Sequence, residues 1–229
     1  MITPNCRERL TGADFDFIVR TLSRRRSQDA SLAELLTHAD TRDTLLDSDA
    51  LFSAVLEAGS TLRISPQFYF YVLLRHVLKE NAVASRETCD YLASLLETFS
   101  RTERMNAPGG AGQGTQQYVS DLLLALNKAN AAQAFLLRAH IGNYTLFITG
   151  VFCERVEHRS RRGGPDVQFF ENVGAANFDL AASHPVARQN ALTPIFEQLS
   201  ERFHDIRLGL NEAAENLLHL DEPGELILP

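Results

Sequence analysis

The most regular pattern of apolar positions in this chain lies near its C-terminal end. Apolar side chains recur there at alternating spacings of four and three, at Leu192, Phe196, Leu199, Phe203, Ile206, Leu210, Ala213, Leu217 and Leu220. This spacing keeps one face of a helix apolar over roughly 40 Å, at about 1.5 Å of rise per residue. Pro194 lies in the opening turns, where we expect a kink or a new helix start. The pattern predicts a long C-terminal helix whose stripe packs on the rest of the chain or on a second copy.

Two other segments are apolar around most of the helix circumference. The first covers residues 66–80 and starts with a proline directly after Ser65, a favourable N-cap residue. The second covers residues 134–155, where two adjacent apolar stripes follow each other at helical spacing. Gly142 and Gly150 lie on one side of this second segment and would let another helix approach closely. We predict that both segments form central, buried helices.

Elsewhere, helical spacing dominates and the alternation typical of strands is nearly absent. A first helix fits Thr11 to about Arg25, and Ser85 is suited to cap another. These patterns predict an all-α fold, a single bundle-like domain of about eight to ten helices over residues 1–229. The glycine-rich stretch 106–114 is predicted to be a flexible loop that divides two helical halves, with a hinge or a lid as alternatives.

Composition and charge narrow the range of partners. The chain has 229 residues, of which 45% are hydrophobic and 22% charged, and its net charge is −7. An acidic protein repels phosphate backbones, so we predict no nucleic-acid partner. Two basic clusters run against this balance, Arg24 to Arg26 and the group Arg159, Arg161 and Arg162. Both are interpreted as charge at helix C-termini, with an anionic partner as the alternative.

The cysteines and the apolar runs indicate a location. Cys6, Cys89 and Cys153 lie far apart, and none belongs to a CxxC pair. Free thiols are typical of a reducing compartment. The first residues contain no apolar signal region, and no apolar run approaches the roughly 20 residues that cross a bilayer. We therefore predict a cytoplasmic protein without a membrane-bound part.

Polar residues on the two central segments form the candidate ligand pocket. His140, Asn143 and Tyr144 lie within one turn of the second segment, and Arg75 and His76 lie on the first. A buried polar group without a hydrogen bond costs roughly 1–3 kcal/mol, so each of these groups needs a partner. If the two helices are neighbours, the five side chains could line one pocket for a small ligand. The simpler interpretation is that backbone carbonyls or caps satisfy each group separately.

Candidate metal ligands are few. Glu154 and His158 share a helix face at a spacing of four and form a weak candidate pair, although an exposed ion pair is the simpler interpretation. Glu201 and His204 form an ExxH sequence, the spacing of di-metal helical bundles, but the chain contains no second ExxH and the register turns this one outward. We predict no metal and no other cofactor.

Signatures of catalysis are equally sparse. The glycines of residues 110–114 lack the spacing and the lysine of nucleotide-binding loops, and GxSxG, HExxH and CxxC are all absent. The leading hypothesis is therefore a non-enzymatic protein that acts by association, as a regulator or scaffold and as a homodimer. Its predicted association surface is the C-terminal stripe, represented by Leu199, Phe203, Ile206, Leu210 and Leu217. The alternatives are a helical ligand-binding protein or enzyme that uses the candidate pocket, and, more weakly supported, a metal-dependent helical-bundle oxidase.

Overall fold

The computed structural model describes residues 2–23, 29–58, 63–79, 83–106 and 115–216. Within these ranges the chain forms thirteen helices and no strand, which confirms the predicted all-α fold. In chain order they are α1 (Gly12–Leu22), α2 (Asp29–Leu36), α3 (Ala39–Leu46), α4 (Asp49–Ala58), α5 (Pro66–Lys79), α6 (Arg86–Asn106), α7 (Thr115–Leu126), α8 (Ala131–Val151), α9 (Cys153–Ser160), α10 (Val167–Ala182), α11 (Pro185–Gln189), α12 (Thr193–Glu201) and α13 (Phe203–Asn216). Arg24 to Arg26, residues 107–114, Leu217 and Leu220 lie outside the described residues.

Local capping explains where several helices begin. The Ser65 hydroxyl accepts from the Phe68 amide at 3.2 Å, and α5 starts at Pro66 as predicted. The Ser85 hydroxyl likewise accepts from the Thr88 amide at 3.1 Å before α6. Helix α1 starts directly after Thr11, which forms a reciprocal capping box with the third residue of the helix. These starts follow from hydrogen bonds over three residues, so the sequence alone reveals them.

The two predicted central helices are α5 and α8. Both bury most of their apolar side chains, including Phe68, Phe70 and Tyr71 on α5 and Phe135 and Phe147 on α8. Both also pack against α6 and α13, and α8 packs most extensively against α10. Among the helices described, none combines the length and apolar composition that a bilayer crossing requires.

Buried apolar side chains from Cys6 to Ala214 belong to one contiguous cluster. A single domain with a dividing loop at 106–114 stays a prediction, because most of that loop lies outside the described residues. Asn106, the first residue of the predicted loop, ends α6.

Two predicted continuous helices are each divided by a single residue. Helix α8 ends at Val151 and α9 begins at Cys153, with Phe152 between them. Helix α12 ends at Glu201 and α13 begins at Phe203, so the C-terminal stripe does not lie on one unbroken helix. Helix α12 packs against α10 and α6, whereas α13 packs mainly against α8 and α5. Apolar spacing continues through the break because both helices bury the same side, and it therefore does not reveal the change of neighbour.

The two glycines of α8 permit close helix approach, as predicted, but to two different helices. A Cβ atom added at Gly142 would lie 2.9 Å from the Phe178 ring of α10. A Cβ atom added at Gly150 would lie 2.7 Å from the Cβ of Leu210 on α13. Because these two positions carry no side chain, α10 and α13 can pack directly against α8.

Candidate functional site

Four of the five residues of the predicted association surface lie in the protein core. Leu199, Phe203, Ile206 and Leu210 are each at most 3% exposed, and Leu217 lies outside the described residues. The four side chains are covered by the chain's own helices and present no surface to a partner. An amphipathic helix shows the same periodicity whether its apolar face packs within one chain or between two chains.

Two of the five candidate pocket residues face the N-terminal helices. Arg75 donates from Nε and Nη2 to the carboxylate of Asp47 at 2.8 and 3.1 Å, and from Nη1 to the backbone oxygen of Ala84 at 3.2 Å. The His76 ring stacks on the Phe52 ring of α4, with centroids 3.5 Å apart. Both residues are therefore engaged at the junction of α3, α4 and α5.

The other three candidate residues face α6. The Tyr91 hydroxyl donates to Oδ1 of Asn143 at 2.9 Å, and the Phe99 ring lies 5.9 Å from the His140 ring and 6.5 Å from the Tyr144 ring. Burial lowers the pKa of His140, which favours its neutral form. The two groups thus face different elements. Arg75 and Asn143 have separate partners, and of these only the Ala84 oxygen is a backbone carbonyl of the kind that the simpler interpretation expected.

The metal-ligand candidates lie on the surface of α9. Glu154 and His158 are both exposed, and Arg155 between them lies over the Phe152 ring at 4.8 Å. Within the described ranges, no group of three or more His, Cys, Asp or Glu side chains is placed to hold a metal ion. Glu201 is exposed, as the register predicted.

A cleft of about 460 Å³ lies between α9, the start of α10 and the first turns of α13. Glu171 and Arg207 lie at its floor, with Arg207 Nε donating to Glu171 Oε1 at 2.6 Å. Their side chains are only 7% and 9% exposed. Arg207 also donates from Nη1 to the sulfur of Cys153 at 3.8 Å. Among the described residues, Nη2 of Arg207 has no hydrogen-bond partner and remains available to a molecule in the cleft.

His204 lies at the rim of this cleft and is oriented by the same carboxylate. Its Nδ1 is 3.0 and 3.2 Å from the two carboxylate oxygens of Glu171, and its side chain is 61% exposed. With Nδ1 hydrogen-bonded to the carboxylate, the other ring nitrogen, Nε2, is directed away from Glu171. The histidine therefore presents a hydrogen-bonding nitrogen away from Glu171, where a bound molecule can reach it.

Cys153 supplies a neutral wall of the cleft. Burial raises the pKa of its thiol, and the nearby positive charge of Arg207 offsets this only in part. The group is thus a thiol at neutral pH, whereas a nucleophilic cysteine needs the thiolate. The geometry supports contact with a ligand and assigns no covalent role to the sulfur.

The rim carries charges of both signs. Arg161 lies 3.6 Å from Glu157 one turn earlier on α9, and both are largely exposed. Asp166 accepts from the Phe169 amide at 2.8 Å and so caps α10. The Arg161–Glu157 pair is largely exposed, so its contribution to stability is small, about 0–1 kcal/mol. A polar molecule in the cleft would meet donors and acceptors at floor and rim alike.

Sequence reasoning named His204 and Cys153 for other reasons and missed Glu171 and Arg207. A signal was present, since both charged residues lie among apolar positions at helical spacing. Glu171 directly follows Phe170, and Arg207 directly follows Ile206 of the C-terminal stripe. Exposed charges such as Arg202 and Glu212 also adjoin the stripe, so this position alone does not reveal burial, and the partner 36 residues away is not visible from spacing.

Known proteins provide no further guide to this cleft. No protein-family model, curated protein or solved structure matches the chain. Conclusions about function therefore depend on the contacts just described.

Proposed function

We propose that this protein binds a small polar molecule in the cleft between α9, α10 and α13. The observation that carries this proposal is the Glu171–Arg207 ion pair at the floor of a cleft open to solvent. Removing two charges from water is so unfavourable that well-packed apolar residues often stabilise a fold equally well. A buried pair beside an open cavity is therefore better explained by recognition of a ligand than by stability.

The size and chemistry of the cleft agree with this proposal. Its volume of about 460 Å³ lies within the range of small-molecule sites, about 300–1,000 Å³. The floor offers a charged donor and a charged acceptor, and His204 offers a further ring nitrogen at the rim. The cytoplasm is part of the proposal, because Cys6, Cys89 and Cys153 are all unpaired.

Thermal unfolding with a panel of small molecules tests the proposal. The panel contains millimolar carboxylic acids, amines, amino acids and sugars. A compound at ten times its Kd should raise Tm by about 4 °C. His204→Ala and Arg161→Ala should each reduce this shift, because both side chains line the cleft and both are exposed enough to be replaced without unfolding.

The matched control is His158→Ala, which removes an exposed imidazole of α9 that does not line the cleft. It should leave the shift unchanged. Two results would contradict the proposal: no compound in the panel changes Tm, or the shift survives in both cleft variants.

Association between copies of this chain is a second candidate, favoured by the exposed leucines of the α7–α8 hairpin. Leu124 and Leu136 are 63% and 50% exposed, and α7 packs against α8. A homodimer with a regulatory or scaffold role would use this hairpin rather than the buried C-terminal stripe. Exposed apolar side chains on neighbouring elements are typical of association surfaces when they form a patch.

Light scattering after size-exclusion chromatography tests the second candidate. The expected mass is that of a dimer, and Leu124→Glu should convert it to a monomer because a carboxylate would be buried at the contact. Leu56→Glu on α4 is the control, because Leu56 is also an exposed leucine but lies outside the hairpin. A monomer at every concentration, or a dimer that persists in Leu124→Glu, would exclude this use of the hairpin.

A further inference from the structure

We infer that the molecule bound in the cleft is a small zwitterion, one that carries both an ammonium group and a carboxylate. This inference rests on the proposed function and specifies the chemical class of its ligand. It is carried by the arrangement of charges at the floor and rim of the cleft, which follows from the contacts of the Glu171–Arg207 pair.

The floor offers a carboxylate that can accept from an ammonium group and a guanidinium that can donate to a carboxylate, the two contacts that a zwitterion needs. Glu171 Oε1 accepts from Arg207 and from His204, whereas Oε2 is engaged by His204 alone at the longer distance of 3.2 Å. Oε2 therefore retains capacity to accept from a ligand ammonium group. Nη2 of Arg207 has no hydrogen-bond partner among the described residues and can donate to a ligand carboxylate, a favourable charge-assisted contact.

The rim repeats the same pairing of signs. Arg161 is the cationic group there, and Glu157 and Asp166 are the acidic ones. A simple anion would meet the carboxylates of Glu171 and Asp166, and a simple cation would meet the guanidinium groups of Arg207 and Arg161. Each would gain one favourable contact and one repulsive contact. A molecule with both charges can turn each of them toward its opposite.

The dimensions of the cleft limit the size of such a molecule. Its volume of about 460 Å³ lies in the lower half of the range for small-molecule sites. The cleft is bounded by Val167 and Cys153 as well as by charged groups, so a short apolar stem can also be covered. These features fit a free amino acid or a molecule of similar size.

Titration calorimetry with a matched four-carbon series tests the class of ligand. The probes are L-2-aminobutyrate, 4-aminobutyrate, butyrate and butylamine, which share a chain length and differ in charge. At least one of the two zwitterions should bind. Butyrate and butylamine should each bind at least about tenfold more weakly than that zwitterion, which corresponds to one lost charged contact.

The ligand preference of the Glu171→Gln variant distinguishes a binding role of Glu171 from a purely structural one. It keeps the size of the side chain and removes the negative charge that repels an anion. We expect the zwitterion to bind more weakly and butyrate more tightly, so that their order is reversed. Asp166→Asn is the second variant and makes the same change at the rim, because asparagine also caps helices and the fold is retained.

The outcomes separate this inference from the proposed function. Preferred binding of a zwitterion that shifts toward butyrate in Glu171→Gln or Asp166→Asn supports the inference. Butyrate or butylamine binding as tightly as the zwitterions to the unmodified protein overturns the inference and leaves a ligand cleft in place. Binding of another class from the thermal panel, with no response to the four probes, overturns it as well. If no compound of either set binds, both the inference and the proposed function are wrong.

Discussion

Around the N-terminal helices, charged side chains connect segments that are distant in sequence. Arg7 precedes α1 and contacts Asp43 on α3 together with Glu87 and Asp90 on α6. In the same region Asp47 accepts from Arg75 on α5 and from Arg86 on α6, at 2.8 Å for the closest contact of each. Each of these ion pairs joins at least two elements.

The C-terminal helices are held together mainly by close apolar contacts. Phe178 of α10 lies against Gly142, and Leu210 of α13 lies against Gly150, so both helices pack closely on α8. Among the described residues of α8 to α13, the buried ion pair is the one between Glu171 and Arg207. It joins α10 and α13, which already pack against α8.

The two regions therefore differ in where their ion pairs lie. In the N-terminal region the ion pairs join elements that are distant in sequence and no open cleft is described beside them. In the C-terminal region packing already joins the helices, and the charged pair lies at the floor of an open cleft.

The largest expected effect is the loss of Arg7. Replacing it with methionine keeps much of the apolar stem but leaves the buried carboxylate of Asp90 without its counter-charge. We expect Arg7→Met to lower the free energy of unfolding by about 3 kcal/mol, measured by urea denaturation. The control is Arg20→Met, which removes an exposed ion pair with Asp16 and should change stability by less than about 0.5 kcal/mol. Equal losses of stability in the two variants would contradict a structural role of the N-terminal charges.

The next effect in size comes from the close contact of α8 and α13. Gly150→Ala places a Cβ atom 2.7 Å from the Cβ of Leu210, and α13 must shift to accommodate it. We expect a loss of about 1–3 kcal/mol in the free energy of unfolding, typical of overpacking. At Gly12 of α1 an added Cβ meets nothing within 4 Å, so Gly12→Ala is the matched control and should be neutral or slightly stabilising.

Acid should weaken the N-terminal contacts through Asp47. Burial would raise the pKa of this carboxyl, but hydrogen bonds from Arg75 and Arg86 outweigh it and hold the pKa below its ordinary value of 3.8. A carboxyl whose pKa is lower in the folded state contributes stability above pH 3.8 and loses it as the pH falls through the folded value. The free energy of unfolding, measured at about ten pH values between roughly pH 6 and pH 2, should show this loss in the unmodified protein. Asp47→Asn should lack that component; an identical pH profile in the variant would contradict the assignment.

The smallest expected effect concerns a buried hydroxyl. Tyr71 is fully buried, and within the described part of the chain its hydroxyl has no hydrogen-bond partner. We expect Tyr71→Phe to be neutral or to stabilise the protein by about 0.5–1 kcal/mol, because the unsatisfied group is removed. Tyr91→Phe is the control, since its hydroxyl donates to Asn143 at 2.9 Å, and it should destabilise by about 1 kcal/mol. Thermal unfolding of both variants measures the difference.

Much of the fold could be predicted from the sequence, and less of the site. The all-α class, the central positions of α5 and α8, and the starts at Pro66 and near Ser85 depend on helical spacing and on hydrogen bonds within one turn. The breaks at Phe152 and Arg202 could not be predicted, because apolar spacing continues across them. The candidate pocket joined residues of two helices whose polar groups face different neighbours.

By itself, the sequence determined which segments form helices and which side of each helix is buried. These properties depend on neighbours within about four positions along the chain. Tertiary structure decided what covers each buried side. It placed Leu199, Phe203, Ile206 and Leu210 of the C-terminal stripe inside the chain, and it brought Glu171 to Arg207 across 36 residues. Such a pair forms only when two helices pack in one relative position, and no local spacing encodes that position.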